Sequence, residues 1–178
     1  MTESLPSKRL FFALWPPEKV RQQIQQSRKL YCPTGGRWTR LQNFHATLVF
    51  LGDIAIQRIP VIGNAVSEIE AKVFEMQLDS IRPAPVKGMV WLVPGVVPHE
   101  LLQLVFALRS SIAALNFEIE QHHYQPHVTL IRKLPEAFDQ CQIDDSVRWP
   151  VTSFALVESK QARGSSVYIR SKIWRLRE

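Results

Sequence analysis

The chain contains the same short word twice. His45-Ala46-Thr47-Leu48 and, 82 positions later, His127-Val128-Thr129-Leu130 share the pattern His-x-Thr-Leu, in a chain with only five histidines. Each lies in an apolar run bounded by turn-forming or polar residues: F-H-A-T-L-V-F-L-G at Phe44–Gly52 and P-H-V-T-L-I-R-K at Pro126–Lys133. Short apolar runs of this kind read as strands. In a strand, side chains at i and i+2 share a face. His45 and Thr47 therefore share one face, and Phe44, Ala46, Leu48 and Phe50 share the other. His127 and Thr129 repeat the arrangement against Val128 and Leu130. The apolar faces belong to a core, which leaves histidine and threonine for a cleft. A fold that sets the two polar faces opposite each other gathers two imidazoles and two hydroxyls into one site.

Such a site has a definite chemistry. Histidine is the side chain whose proton moves near neutral pH. A neutral imidazole can take a proton from water while a charged one gives a proton to a leaving oxygen, each role contributing on the order of 10²–10⁴-fold. The threonine hydroxyls can hydrogen-bond phosphoryl oxygens held between them. The set suits splitting a phosphodiester without a metal. One His-x-Thr on a strand says little, and the weight lies on the repetition. The spacing of His122, His123 and His127 is loose for metal ligands and no cysteine lies near them, so a zinc site is not expected. No Gly-rich phosphate loop is present, so ATP use is not indicated.

The rest of the chain is organised around the two words. Arg9–Trp15 reads as a buried strand. Pro16-Pro17-Glu18 opens a helix with Val20, Ile24, Ser27 and Leu30 along one side. The loop Pro33–Gly36 leads through Trp38–Asn43 to the first word's strand, Phe44–Leu51, closed by Gly52-Asp53. A second helix is expected over Pro60–Val73, with Val61, Ala65, Val66, Ile69 and Val73 inward. Strands follow at Phe74–Ile81 and Val86–Val93. A third helix spans about Glu100–Leu115, with His99 exposed at its start and a regular core stripe. After the second word come a loop over Pro135–Ser146, one strand over Val147–Glu158, and a terminal hairpin of Ser166–Ile169 with Lys172–Leu176. A helix precedes each motif strand and further strands follow it. This double round implies an α+β protein of two similar lobes within a single domain, residues 1–178.

The 178 residues suffice for that core, and 46% hydrophobic with 21% charged residues is ordinary for a globular protein. No run approaches a membrane span, and the start lacks the order of a signal peptide, so the cytoplasm is the expected compartment. Cys32 and Cys141 sit in no paired motif and are expected to be reduced thiols. A net charge of +6 favours a polyanionic partner. The basic run of Lys160, Arg163, Arg170, Lys172, Arg175 and Arg177 can track RNA phosphates or form the solvated face of a hairpin. Phe12, Trp38, Trp91 and Trp149 are expected in the core rather than stacked on a base.

These motifs resemble the two-histidine phosphoesterases, in the branch of RNA 2′,3′-cyclic phosphodiesterases long named 2′-5′ RNA ligases. N-F-H-A-T-L-V-F-L-G at Asn43–Gly52 and P-H-V-T-L-I-R at Pro126–Arg132 are similar to that family's two motifs. R-L-F-F-A-L at Arg9–Leu14, M-V-W-L at Met89–Leu92 and A-R-G-S-S-V-Y at Ala162–Tyr168 are similar to its opening strand, central strand and C-terminal end. The resemblance implies two pseudo-symmetric lobes of antiparallel sheet, helices on the outside and a central active-site groove. It implies metal-independent opening of the terminal 2′,3′-cyclic phosphate of an RNA or oligonucleotide to a 2′-phosphomonoester; no cofactor is expected, and the protein is expected to be a monomer. It implies His45 as proton donor, His127 as proton acceptor, and Thr47, Thr129 and Arg132 as phosphate-binding residues. The two words alone do not say which histidine is acid and which is base. Strict alternation would also turn Arg132 to the core face, so a bulge or a reach around the strand end is required. A 2′-5′ oligonucleotide or small cyclic nucleotide as substrate, and a non-catalytic RNA-binding module, are the alternatives.

Overall fold

The structure is a computed structural model that describes residues 6–119, 123–162 and 165–178. Strand β1 (Ser7–Leu14) is apolar without alternation because both its faces are covered. Leu10, Phe12 and Leu14 enter the main core, while Phe11 and Ala13 join Ala155 and Val157 in a smaller cluster beside Trp15 and Tyr168. Helix α1 (Glu18–Tyr31) follows, with Glu18 in its first turn and Arg28 and Lys29 in its last, matching the helix dipole. It buries Val20, Ile24, Ser27 and Arg28, but Leu30 is 69% exposed, because the inward stripe runs through Arg28 instead.

A two-residue strand β2 (Arg37–Trp38) and a 3₁₀ turn (Leu41–Asn43) lead to β3 (Ala46–Ala55). β3 does not stop at Gly52-Asp53, since Arg9 and Lys8 continue the ladder opposite Asp53 and Ile54. Helix α2 (Ile59–Ser67) is shorter than its sequence pattern suggests and turns Ile62, Gly63 and Val66 inward. Residues 71–73 are drawn instead into backbone hydrogen bonds with Arg177. β4 (Phe74–Pro83) and β5 (Val90–Pro94) form a hairpin, and β5 starts later than expected because residues 84–89 form its turn. Helix α3 (His99–Ala113) buries Leu101, Leu104, Val105, Leu108 and Ile112, the expected stripe.

β6 (Val128–Arg132) carries the second word. β7 (Cys141–Val151) and β8 (Ser153–Ala162) then replace the expected loop and single strand. The polar stretch from Cys141 still alternates, with Ile143, Val147, Trp149 and Val151 inward, and it pairs with β4. The terminal segments are one strand, β9 (Ser165–Arg175), paired along β8. Ser171, which resembles a turn residue in sequence, is a bulge whose hydroxyl donates to the Leu156 carbonyl.

The strands form two antiparallel sheets, ordered β3-β1-β8-β9 and β2-β6-β5-β4-β7. β3, β1, β8 and β9 correspond in order to β6, β5, β4 and β7, and β2 is added at the edge of the second sheet. Each sheet thus carries one word beside a central strand that precedes a helix. The lobes are interleaved along the chain, because the first sheet is completed by β8 and β9. The helices also cross over: α1 leaves the first sheet and packs against β7, while α3 leaves the second and packs against α2 and β3. The main core contains residues from both sheets and all three helices.

Candidate active site

Both words break their ladder at the same letter. Thr47 pairs with Ala13 and Val49 with Phe12, leaving Leu48 without a partner. Thr129 pairs with Trp91 and Ile131 with Val90, leaving Leu130 without a partner. Each leucine is thus the extra residue of a bulge, and the bulge lets two successive residues face the core. Leu48 and Val49, like Leu130 and Ile131, are buried. Past the bulge the alternation is reversed. Phe50, expected inside, is therefore exposed with the Arg9 guanidinium over its ring. Arg132 is turned to the same side as Thr129 by the same step.

His45 and His127 each occupy the position just before their strand. Each ring is oriented in the same way. The Nδ1 of His45 lies 2.6 Å from the Asn43 carbonyl and the Nδ1 of His127 lies 2.8 Å from the Gln125 carbonyl. A carbonyl can only accept, so Nδ1 carries the proton and Nε2 is left with a free lone pair. The threonines are half-buried. They are shared crosswise: His45 lines one hollow with Thr129 and Arg132, while His127 lines a second hollow with Thr47.

The surroundings of the two rings differ. His45 is enclosed by Trp15, stacked at 5.3 Å with 6° between planes, by Tyr168 edge-on at 4.9 Å and by Phe11 at 5.2 Å. Among the described residues, His127 has one close aromatic neighbour, Trp91, stacked at 3.7 Å. Burial lowers the proton affinity of His45 to a pKa of about 4; the bond to Asn43 opposes this, and the charges of Arg132 and His127 add to it. His127 is lowered for the same first reason, with Arg132 and Arg82 adding to it. Both imidazoles are therefore neutral at pH 7 when no anion is bound.

All five residues singled out in the sequence line these two hollows. The sequence reading did not single out Trp15, Tyr168, Asn43, Arg37 or Arg40. Trp15 was hidden by its place at the end of an apolar run, and the arginines by lying in a loop without periodicity. Phe12, Trp91 and Trp149 are buried as expected, and the ring of Trp91 also backs His127. His99 is exposed, and His122 and Arg163 lie outside the described residues. The C-terminal basic run is largely tied into the fold: Lys160 meets Glu158, Lys172 meets Gly63 and Ser67, and Arg177 meets Glu70. Cys32 and Cys141 are free. Among the described residues, no three His, Cys, Asp or Glu side chains are grouped to hold a metal, and no helix is long and apolar enough to cross a membrane.

Comparison with known proteins agrees with this arrangement. Residues 14–91 match the model of the LigT-like phosphoesterase family. An RNA 2′,3′-cyclic phosphodiesterase of Escherichia coli is 32% identical over 170 residues, covering 95% of this chain and 97% of that protein. One of Thermus thermophilus is 28% identical, covering 90% and 86%. The crystal structure of E. coli LigT complexed with 3′-AMP superposes with a TM-score of 0.89 at 31% identity, over 97% of this chain and all of that one. The duplicated word, the paired sheets that carry it and these likenesses over nearly the full length place the chain in the LigT-like phosphoesterase family, the two-histidine phosphoesterases.

Proposed function

We propose that this protein is an RNA 2′,3′-cyclic phosphodiesterase that works as one bilobal unit, as a monomer in the cytoplasm. Its substrate is an RNA or oligonucleotide ending in a 2′,3′-cyclic phosphate, and its product is the 2′-phosphomonoester. The observation that carries this is the crosswise pair: two imidazoles with free Nε2 atoms, each sharing a hollow with the other word's threonine. The names of the relatives point to the same reaction.

His127 Nε2 takes a proton from water, whose oxygen attacks phosphorus. The bond from phosphorus to the 3′-oxygen breaks, and His45 Nε2 gives its proton to that oxygen. Thr47, Thr129 and Arg132 hold the non-bridging oxygens, where negative charge builds. His45 must carry a proton at the start, although its pKa in the unliganded site is about 4. The substrate supplies the difference. One negative charge about 4 Å away, at an effective dielectric of about 20, is worth about 4 kcal/mol. That is about three pK units, enough to bring His45 near neutrality.

The test is an oligonucleotide with a terminal cyclic phosphate incubated in excess chelator. Conversion to the 2′-phosphate is expected, and a retained cyclic phosphate overturns the proposal. His45→Ala and His127→Ala should each lower kcat by about 10²–10⁴-fold. A single variant with full activity is incompatible with a shared acid–base pair.

A further inference from the structure

The two words repeat, but the tryptophans beside them do not stand in matching places. In the second sheet Trp91 pairs with Thr129 and Leu92 with Val128, which sets Val93 level with His127. In the first sheet Ala13 pairs with Thr47 and Leu14 with Ala46, which sets Trp15 level with His45, one step past the end of the ladder. Ala13 and Trp15 in one lobe thus answer to Trp91 and Val93 in the other. Yet each imidazole has an indole stacked on it: Trp91 on His127 at 3.7 Å and 13°, Trp15 on His45 at 5.3 Å and 6°. The pseudo-symmetry of the lobes does not account for this, because the two stacks are reached from different positions. What they share is the kind of ring they back.

The stack on His45 has a particular use. Trp91 lines the hollow of His127, whereas Trp15 lines neither hollow and sits half-buried behind its imidazole. Trp15 can therefore act on a substrate only through His45. The charges that act on this ring are those of Arg132 and His127, and Arg37 and Arg40 also line its hollow. From β9 come the Tyr168 phenol, at right angles to the ring, and Arg170, an exposed residue whose guanidinium lies 5.7 Å from the centre of the Trp15 ring. Among the described residues, no carboxylate lines the hollow or acts on the imidazole, so a protonated His45 finds no counter-charge there. It has the Asn43 carbonyl at Nδ1, the substrate's anion in the hollow, and the face of Trp15 along its own plane. A cation within about 6 Å of an indole face is attracted by the ring's quadrupole, most strongly where water is excluded.

We propose that Trp15 is a positioning residue for the reaction, one whose indole face stabilises the imidazolium form of His45 that donates the proton. This rests on the proposed function for the acid role of His45.

Trp15→Phe and Trp15→Leu grade the interaction, from indole through a weaker ring to none. The measurement is kcat against pH on a nucleoside 2′,3′-cyclic phosphate, whose alkaline limb reports the loss of the acid's proton in the complex. The limb should move down by about one pH unit in Trp15→Leu and by less in Trp15→Phe, so that well above it kcat falls about tenfold in the leucine variant. A purely structural role lowers kcat by one factor at every pH and leaves the limb in place, which overturns the proposal. An upward shift also overturns it, because Trp15 would then act by excluding water. If the leucine variant does not fold, the phenylalanine variant carries the same test. Nitrogen NMR of the His45 ring separates this failure from failure of the reaction, because it needs no turnover. In protein saturated with inorganic sulfate, the ring should titrate about one pH unit lower in Trp15→Leu than in the wild type. A ring that moves while the limb stays leaves the stabilisation by Trp15 standing and removes His45 from the acid role. A ring that does not move overturns the inference.

Discussion

His45 and His127 are the same letter of the same word, yet the fold surrounds them differently. Among the described residues, three aromatic rings enclose His45 and one backs His127. Sequence symmetry leaves the acid and base roles open, and the asymmetry of burial gives a handle on them. A histidine whose pKa is held near 4 is unprotonated in the free protein at pH 6. If a bound phosphate raises that pKa towards 7, the complex is protonated at the same pH. Binding of a nucleoside 3′-(methyl phosphate), a diester with no proton of its own to exchange near pH 6, should therefore take up close to one proton at pH 6. At pH 9 both states are unprotonated, and the uptake should vanish. Calorimetry in buffers of different ionisation enthalpy measures the number directly. No uptake at pH 6 would mean that His45 stays neutral in the complex and does not serve as the acid. His45→Gln should abolish whatever part of the uptake belongs to this ring.

At the scale of single elements, a duplicated bulge aims the site. Leu48 and Leu130 each add one residue to a strand, and so carry Arg132 round to the groove and Phe50 out to solvent. A second device is Gly36, which introduces β2 with φ +75°. A Cβ there would lie 2.8 Å from Ile131 Cγ2 and 3.0 Å from the Arg132 carbonyl oxygen. Gly36→Ala should cost about 2–4 kcal/mol, from the left-handed backbone and from overpacking against β6. Chemical denaturation checks this, and a cost within about 0.5 kcal/mol, as at an ordinary surface position, would show that β2 is not pinned at this point.

Much of this was legible in the sequence. The repeated word, the stripe of α3 and the inward residues of β1 carry strong periodic or repeated signals. The C-terminal half was harder to read, because β7 and β9 are held by partners distant in sequence. The polar residues of β7 sit on its solvent side, and the Ser171 bulge imitates a turn. Propensity reads neighbours along the chain, whereas these strands are decided by neighbours across the sheet. Phe50 was misread for a related reason, since alternation cannot foresee a bulge. Arg37 and Arg40 had no local pattern at all; only the pairing of β2 with β6 gives them a place.

At the scale of the whole molecule, the two lobes do not correspond to two halves of the chain. The first sheet takes its edge from β3, its centre from β1 and its remaining strands from β8 and β9. The main core runs through both sheets, and α1 and α3 each pack across to the opposite one. The lobes should therefore unfold together. Native-state hydrogen exchange should give the most protected amides of β1 and β5 the same opening free energy, with the same dependence on denaturant. Two separate plateaus would show that the lobes are independent foldons.

The position of β1 between β3 and β8 also governs how the protein comes off the ribosome. The first word is synthesised early, yet β1 cannot gain its second neighbour until residue 158 has emerged to pair with Leu10. For most of translation the apolar strand around Phe11–Ala13 has a bare edge, the kind of surface that chaperones hold and aggregates recruit. The half of the active site made first is thus the half finished last, and a chain stalled before β8 emerges would carry its first histidine on an open, adhesive sheet.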